Sequence, residues 1–179
     1  MIVSIAGRHG AIDIGPIGRQ MTKPGISPLI RHARTEDAVR IGAIARTVYR
    51  KYVARIGREP APMLADYDTE IAAHRVVVME SAKTLIGYMI AWPEAHGYII
   101  DNIAIDPARQ GEGLGRRLIE YAAAEAARLR LPALRLYTNV QMTENLAMYA
   151  HMGFVETHRA IENGYHRAYM LRILTKAEC

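Results

Sequence analysis

A turn with three glycines at alternate positions is the segment of this sequence best suited to bind an anion. Residues 106–117 read DPARQGEGLGRR, follow a hydrophobic stretch typical of a β-strand, and begin a helical pattern. Gly111, Gly113 and Gly115 let the backbone turn sharply and approach a ligand without interference from a side chain. Backbone amides at a helix N-terminus bind anions readily, because the helix dipole favours negative charge there. The pattern therefore predicts a phosphate-binding loop.

Spacing excludes two common kinds of phosphate loop. A nucleotide P-loop has Lys and then Ser or Thr after its last glycine, whereas Gly115 is followed by Arg116 and Arg117. The dinucleotide fingerprint needs a longer interval before its third glycine and lies in the first βα unit, whereas this turn comes late in the chain. The loop is therefore expected to hold a different phosphate-bearing ligand.

Three segments together resemble the GNAT (GCN5-related N-acetyltransferase) superfamily. The sequence Gln110-x-x-Gly113-x-Gly115 resembles the pyrophosphate loop with which that family holds acetyl-CoA. The hydrophobic run 99–107 is similar to its central strand, and residues 149–154, YAHMGF, match its Tyr-x-x-x-Gly-Phe segment. The resemblance covers roughly residues 29–174. It implies an acyl-CoA N-acyltransferase fold, acetyl-CoA as co-substrate, and no metal.

The resemblance also implies how acetyl-CoA is bound. The central strand is expected to leave its neighbour at a bulge, so that the pantetheine arm pairs with unpaired backbone groups there. One backbone N–H would hydrogen-bond the thioester carbonyl and stabilise the oxyanion, a contact commonly worth about 2.7–4 kcal/mol. The implied cofactor-binding residues are Ile103, Ala104, Ile105, Gln110, Gly111, Gly113, Leu114, Gly115, Arg116 and Asn145.

Tyr149 is the first candidate for a catalytic residue. It resembles the family tyrosine whose hydroxyl protonates the departing CoA thiolate, and a phenol that titrates near 10 can donate to a thiolate that titrates near 8.5. A core tyrosine is the alternative interpretation. The family usually has Asn seven residues earlier, where this chain has Met142. Asn145, one helical turn from Tyr149, and Asn139 are the alternatives for that role.

The general base that deprotonates the amine is assigned to Asp101, two residues before the expected oxyanion position on the central strand. Glu94 and His96 are second choices, and a structural hydrogen bond is the alternative role for Asp101. Asp66 and Asp68, with Tyr49 and Tyr52, fall where the first two helices of the family line the acceptor pocket. The acceptor is predicted to be a primary amine, most simply a small molecule, and a protein N-terminus or lysine is the alternative acceptor. The alternative function is that of a non-catalytic CoA-binding domain.

Composition limits the remaining classes of function. The 179 residues carry a formal charge of +5, but the basic residues are scattered, which disfavours nucleic-acid binding. The single cysteine, Cys179, excludes a disulfide framework, and no run approaches the about 18 apolar residues of a membrane span. The chain is thus expected to be cytoplasmic, and the family resemblance implies a homodimer.

The pattern of the chain predicts one domain over residues 29–179, preceded by a disordered extension at 1–28 in which Met21 is an alternative start. Hydrophobic periodicity gives the order βααβββαβαββ, with a second helix at about 63–73 and a long amphipathic helix after the glycine turn. The expected fold class is α/β (α+β), with a mixed, mostly antiparallel sheet flanked by helices.

Overall fold

The computed structural model describes residues 27–175, in which seven strands form one mixed sheet. The sheet order is β1-β2-β3-β4-β5-β7-β6, and of these neighbours only β4 and β5 run parallel. The strands are β1 Leu29–His32, β2 Val76–Ser81, β3 Thr84–Glu94, β4 Gly97–Ile105, β5 Ala133–Asn139, β6 Val155–Glu162 and β7 Tyr165–Ile173. The expected mixed, mostly antiparallel sheet is confirmed. Cys179 and nearly all of the predicted extension lie outside the described residues.

Helices cover both faces of the sheet. They are α1 Ala38–Tyr49, α2 Val53–Ile56, α3 Tyr67–Ala72, α4 Leu114–Arg128 and α5 Thr143–His151. Apolar side chains of α1 and α3 pack with Val76, Val78 and Tyr88 in one core. The apolar stripe of α4 packs on the other face, together with Tyr149 of α5. β3 is buried on both faces because it lies between these two cores.

The second predicted helix is shorter than its sequence pattern indicates. It begins at Tyr67 because the side chain of Asp66 accepts a hydrogen bond from the Thr69 N–H (3.1 Å) and so caps the N-terminus. Residues 61–63 form a separate 3₁₀ turn that starts after Pro60, a residue with extended backbone. Asp66 is therefore a capping residue rather than part of a pocket.

A β-bulge in β4 reverses the orientation of its side chains. Ala91 pairs with Ile100 and Ile90 pairs with Asn102, so Asp101 is an extra residue without a partner on β3. Before the bulge, Ile100 packs in the core beneath α4. After it, Asn102 lies on the face of α1, where Tyr49 contacts it. The bulge thus changes which residues of β4 face each layer.

β4 and β5 pair over only three residues and then separate. The pairs run from Tyr98 with Leu134 to Ile100 with Leu136, although β4 continues to Ile105 and β5 to Asn139. Beyond Ile100, no strand of residues 27–175 pairs with this edge of β4. The result is a wedge-shaped gap at the centre of the sheet. This is the strand separation that the family resemblance implies.

Candidate active site

The edge of β4 beyond the bulge presents backbone groups to the gap. Strand alternation places the N–H and C=O groups of Ala104 toward β3, where it pairs with Tyr88, and those of Ile103 and Ile105 toward the gap. The Ile103 carbonyl accepts a hydrogen bond from the Tyr49 hydroxyl (3.0 Å). The Ile105 carbonyl accepts one from the Gln110 side-chain amide (3.0 Å). Of the three residues expected to pair with a ligand, two therefore face the gap with their backbone.

The glycine turn leads directly from β4 into α4. Gly111 and Gly113 have φ angles of 84° and 74°, a conformation that residues other than glycine adopt at a cost. Gly113 immediately precedes α4, whose first residue, Leu114, is buried in the core and anchors the helix N-terminus. A Cβ atom at position 111, 113 or 115 would meet no other heavy atom within 4 Å. The space above the turn is thus open to a ligand.

The larger of two adjoining pockets lies between this turn and the gap, with a volume of about 470 Å³. All ten residues predicted to bind the cofactor line it, from Ile103 on β4 to Arg116 on α4 and Asn145 on α5. Arg116 is exposed and makes no ion pair with another described residue. Arg117 lies outside this pocket and donates a hydrogen bond to the Pro28 carbonyl (3.1 Å).

The first half of the chain also contributes four side chains to this pocket, those of Val48, Tyr49, Lys51 and Tyr52. The sequence assigned Tyr49 and Tyr52 to the acceptor pocket and did not indicate Val48 or Lys51. Lys51 lies over the Tyr52 ring at 4.7 Å and adds a second positive charge to Arg116. Arg109 also lines the pocket, but it is paired with Glu112 (2.6 Å). The larger pocket is therefore basic at its outer end and apolar toward the sheet.

Tyr149 lies where the two pockets meet. Four residues line both pockets: Tyr49, Ile103, Asn145 and Tyr149. Gly153, with φ of 85°, ends α5 and turns the chain back, so that the Phe154 ring packs edge-on against Tyr149 (5.7 Å between ring centroids). Burial raises the pKa of the Tyr149 hydroxyl, which is therefore neutral and able to donate a proton at neutral pH.

The smaller pocket, of about 60 Å³, lies on the other side of Tyr149 and contains Asp101. The Asp101 carboxylate accepts a hydrogen bond from the Tyr137 hydroxyl. Burial first, and then the Asp101 charge, raises the pKa of Tyr137, so this hydroxyl keeps its proton. The Arg167 guanidinium lies 3.9 Å from the centre of the Tyr137 ring and pairs with Glu162 (3.0 Å). Among the described residues that line this pocket, Asp101 is the only carboxylate.

Several other candidates from the sequence lie away from both pockets. Glu94 lies instead against Trp92 and Arg135 on the sheet face, and His96 lines neither pocket. Asp66 and Asp68 do not line either pocket, whereas Tyr49 lines both and Tyr52 lines the larger one. The placement of the two aspartates beside the acceptor pocket was wrong, because Asp66 caps α3 and α3 packs away from the gap.

The two candidate asparagines occupy different places. The Asn139 side-chain oxygen accepts a hydrogen bond from the Gln141 N–H (2.9 Å), which is a turn contact, and Asn139 lines only the smaller pocket. Asn145 lines both pockets, and its amide contacts the Met142 sulfur (3.5 Å) and the Tyr52 hydroxyl (3.5 Å). The contact with Tyr52 is long and a thioether sulfur is a weak acceptor, so the amide of Asn145 is available to a ligand.

Residues 27–175 lack two features, a cluster of metal ligands and a membrane-spanning helix. In this part of the chain, no three or more His, Cys, Asp or Glu side chains are grouped so that they could hold a metal ion. None of its helices combines the length and the apolar character that crossing a membrane requires.

A splayed strand pair with a glycine turn beyond it, in a mixed sheet of this order, defines the acyl-CoA N-acyltransferase class of fold. Residues 72–156 match the family described as the Acetyltransferase (GNAT) domain. Over this stretch the chain is similar to the GNAT superfamily.

Solved structures agree with this fold. The chain is similar to the PaiA N-acetyltransferase of Thermoplasma acidophilum in complex with coenzyme A, with a TM-score of 0.71 and 19% identity over 83% of this chain and 100% of that one. It is also similar to Ard1 of Thermoplasma volcanium, with a TM-score of 0.68 and 18% identity over 84% of this chain and 100% of that one.

A curated relative matches over a shorter stretch. The mycothiol acetyltransferase of Jonesia denitrificans is 30% identical over 90 residues, which are 49% of this chain and 29% of the relative. The chain thus spans less than a third of the length of that relative.

Proposed function

We propose that this protein transfers an acetyl group from acetyl-CoA to a primary amine by direct attack in a ternary complex. The observation that carries the proposal is that a large basic pocket and a small pocket containing the Asp101 carboxylate meet at Tyr149. A polyanionic donor suits the first pocket and a cationic acceptor suits the second. The related PaiA protein, crystallised with coenzyme A, supports the identity of the donor.

In this proposal the larger pocket holds the cofactor. The amides of Gly111, Gly113 and Gly115, at the N-terminus of α4, bind the pyrophosphate together with Arg116. The pantetheine arm enters the gap between β4 and β5, and the Ile103 N–H donates a hydrogen bond to the thioester carbonyl. The two strands separate just where this arm needs unpaired backbone groups.

The chemistry then takes place where the two pockets meet. Asp101 accepts a proton from the ammonium group, and the neutral amine attacks the thioester carbonyl. The tetrahedral oxyanion is stabilised by the Ile103 N–H. As the C–S bond breaks, Tyr149 donates its proton to the CoA thiolate. The attacking nitrogen loses its second proton through water to the Tyr149 phenolate, and Asp101 returns the first proton to solvent, so one proton is released in each turnover.

The walls of the smaller pocket favour a small acceptor over a polypeptide. Arg58 donates a hydrogen bond to the Asn163 carbonyl (3.0 Å), and its guanidinium lies 4.2 Å from the centre of the Tyr165 ring. The Tyr165 hydroxyl in turn donates to the Glu59 carbonyl (2.7 Å). These contacts join the loop after α2 to the β6–β7 hairpin and narrow the acceptor side of the site.

Thermal melting with acetyl-CoA, CoA and NADH at equal concentrations tests the proposal. Ligand at a hundredfold excess over Kd stabilises the folded protein by about 2.7 kcal/mol, so both CoA compounds should raise Tm and NADH should not. Release of free thiol from acetyl-CoA in a screen of small amines, compared with a peptide carrying a free N-terminus, then identifies the acceptor class. If neither acetyl-CoA nor CoA raised Tm, the proposal would be overturned.

Replacing Asp101 with Asn should lower kcat/KM for the amine by about 100-fold at neutral pH, because the pocket loses both its base and its negative charge. The loss should shrink as the pH rises, since more of the free amine is then already neutral. Initial rates between pH 6.5 and 9.5 measure this dependence. An equal loss at every pH would indicate that Asp101 only holds Tyr137 in place.

Two further properties complete the proposal. We propose a cytoplasmic location, which is consistent with the use of acetyl-CoA. A homodimer is proposed from the family resemblance, supported by the exposed apolar side chains of Val155, Ile161 and Ile173 on the last two strands. Light scattering of the purified protein tests this second property.

A further inference from the structure

The edge of β4 that faces the gap has lost its strand partner but not all of its hydrogen bonds. A backbone group buried without a partner is costly, so each group at this edge needs an acceptor or a donor from elsewhere. The carbonyls of Ile103 and Ile105 obtain theirs from side chains, the Tyr49 hydroxyl and the Gln110 amide. The N–H groups of the same two residues receive no strand partner among the described residues.

The exposed edge therefore offers a ligand two N–H groups without a strand partner, those of Ile103 and Ile105. Each carbonyl keeps a second lone pair beside the bond that it accepts from Tyr49 or Gln110, so it can still accept from a ligand. Ligand carbonyls, such as that of a thioester, are the groups that pair with the two N–H donors.

The Tyr49 hydroxyl belongs to a buried chain of hydrogen bonds that fixes its position. It lies 3.1 Å from the Asn102 side-chain oxygen, which also accepts from the Tyr88 hydroxyl (3.2 Å). Tyr88 contacts the Tyr67 hydroxyl (2.9 Å), which donates to the Pro62 carbonyl (2.7 Å). Burial raises the pKa of both Tyr49 and Tyr88, so these hydroxyls keep their protons.

Tyr49 contacts β4 on both sides of the peptide group that carries the Ile103 N–H. One contact is to the side chain of Asn102, the preceding residue, and the other is to the carbonyl of Ile103 itself. Because the strand is held at these two points, rotation of that peptide group is restricted and its N–H stays directed into the gap. A donor that stabilises an oxyanion must be oriented before the reaction, because reorientation during the reaction would cost free energy.

We propose that Tyr49 is a positioning residue that orients the Ile103 N–H toward the thioester oxygen. The proposal deepens the acetyltransferase function described above and rests on it. Tyr49 itself touches neither the thiolate nor the amine in this role. Its hydroxyl replaces the hydrogen bond that β5 would have supplied.

Replacing Tyr49 with Phe tests this role, with Tyr67→Phe as the matched control. Both changes remove one buried hydroxyl from the same chain of hydrogen bonds, but only Tyr49 contacts Ile103. Tyr49→Phe should lower kcat by about tenfold or more, as loss of orientation at one oxyanion donor predicts, with unchanged Kd for CoA. Tyr67→Phe should leave kcat as in the wild type. Equal effects of the two changes on kcat, or none from Tyr49→Phe, would overturn the proposal.

A second readout does not depend on activity. The residual dipolar coupling of the Ile103 N–H in a ¹⁵N-labelled sample reports the direction of that bond. It should change in Tyr49→Phe and not in Tyr67→Phe, while couplings of the distant α4 stay constant. If the wild type fails to bind CoA, the proposed function fails, and this coupling still decides whether Tyr49 orients Ile103.

Discussion

Replacing Tyr149 with Phe is expected to lower kcat by about 100-fold while CoA binding is retained. The change removes one hydroxyl at the place where the two pockets meet and keeps the ring that packs on Phe154. Without that hydroxyl the thiolate must leave unprotonated or take its proton from water. The fold should be preserved, because the apolar contacts of the ring are unchanged.

Initial rates of thiol release and Tm shifts with CoA measure the two sides of this prediction. Tyr52→Phe is a suitable control, since Tyr52 is also a buried tyrosine of the larger pocket and its hydroxyl makes only a long contact with Asn145 (3.5 Å). The pKa of Tyr149 is raised above the usual 10, so its hydroxyl stays protonated at lower pH. Deprotonation of Tyr149 should therefore not reduce the wild-type rate at any pH below 10. Wild-type kcat in Tyr149→Phe would remove Tyr149 from the mechanism.

Replacing Gly115 with Glu is expected to weaken CoA binding by about 100-fold without destabilising the unliganded protein. Gly115 lies in the first turn of α4, and a Cβ there would meet nothing within 4 Å. A carboxylate in the first turn of a helix is favourable, and Glu is a better helix former than Gly. The free energy of unfolding should therefore rise by about 1 kcal/mol, and Tm should rise slightly with it. The same carboxylate would repel a pyrophosphate.

Gly115→Gln separates charge from bulk, because it adds a side chain of the same size without the negative charge. The Kd for CoA from isothermal titration should follow the order wild type, Gln, Glu, and the difference between Gln and Glu should shrink at high salt. Equal affinities in all three proteins would show that the phosphates bind elsewhere. A loss of Tm in both variants would show instead that the turn is needed for folding.

The cofactor side of the site was predictable because it is built from short, contiguous segments. Residues 103–105 and 110–116 form one strand end, one turn and one helix start, and their conformations depend mainly on neighbours in sequence. Glycines with positive φ and a hydrophobic strand leave a local signature. The same holds for Tyr149, whose position follows from the helix ended by Gly153.

The acceptor side was less predictable because it is assembled from distant parts of the chain. The sequence named Asp101 as a candidate, but its partner Tyr137 comes from another strand, and Arg58 meets Tyr165 across more than a hundred residues. The aspartates at 66 and 68 were misplaced for the same reason. A charge pattern indicates that a helix is present but not which way it faces in the assembled molecule.

The sequence by itself determined the mixed sheet, the glycine turn and the tyrosine in α5, since each depends on hydrophobic periodicity, glycine conformation or a helix stop within a few residues. Only the tertiary structure decided that β5 leaves β4 after Ile100 and that Tyr49, from α1, takes over the carbonyl of Ile103. Those features depend on the packing of elements that are distant in the sequence, and such packing satisfies buried backbone groups in ways that no local pattern records.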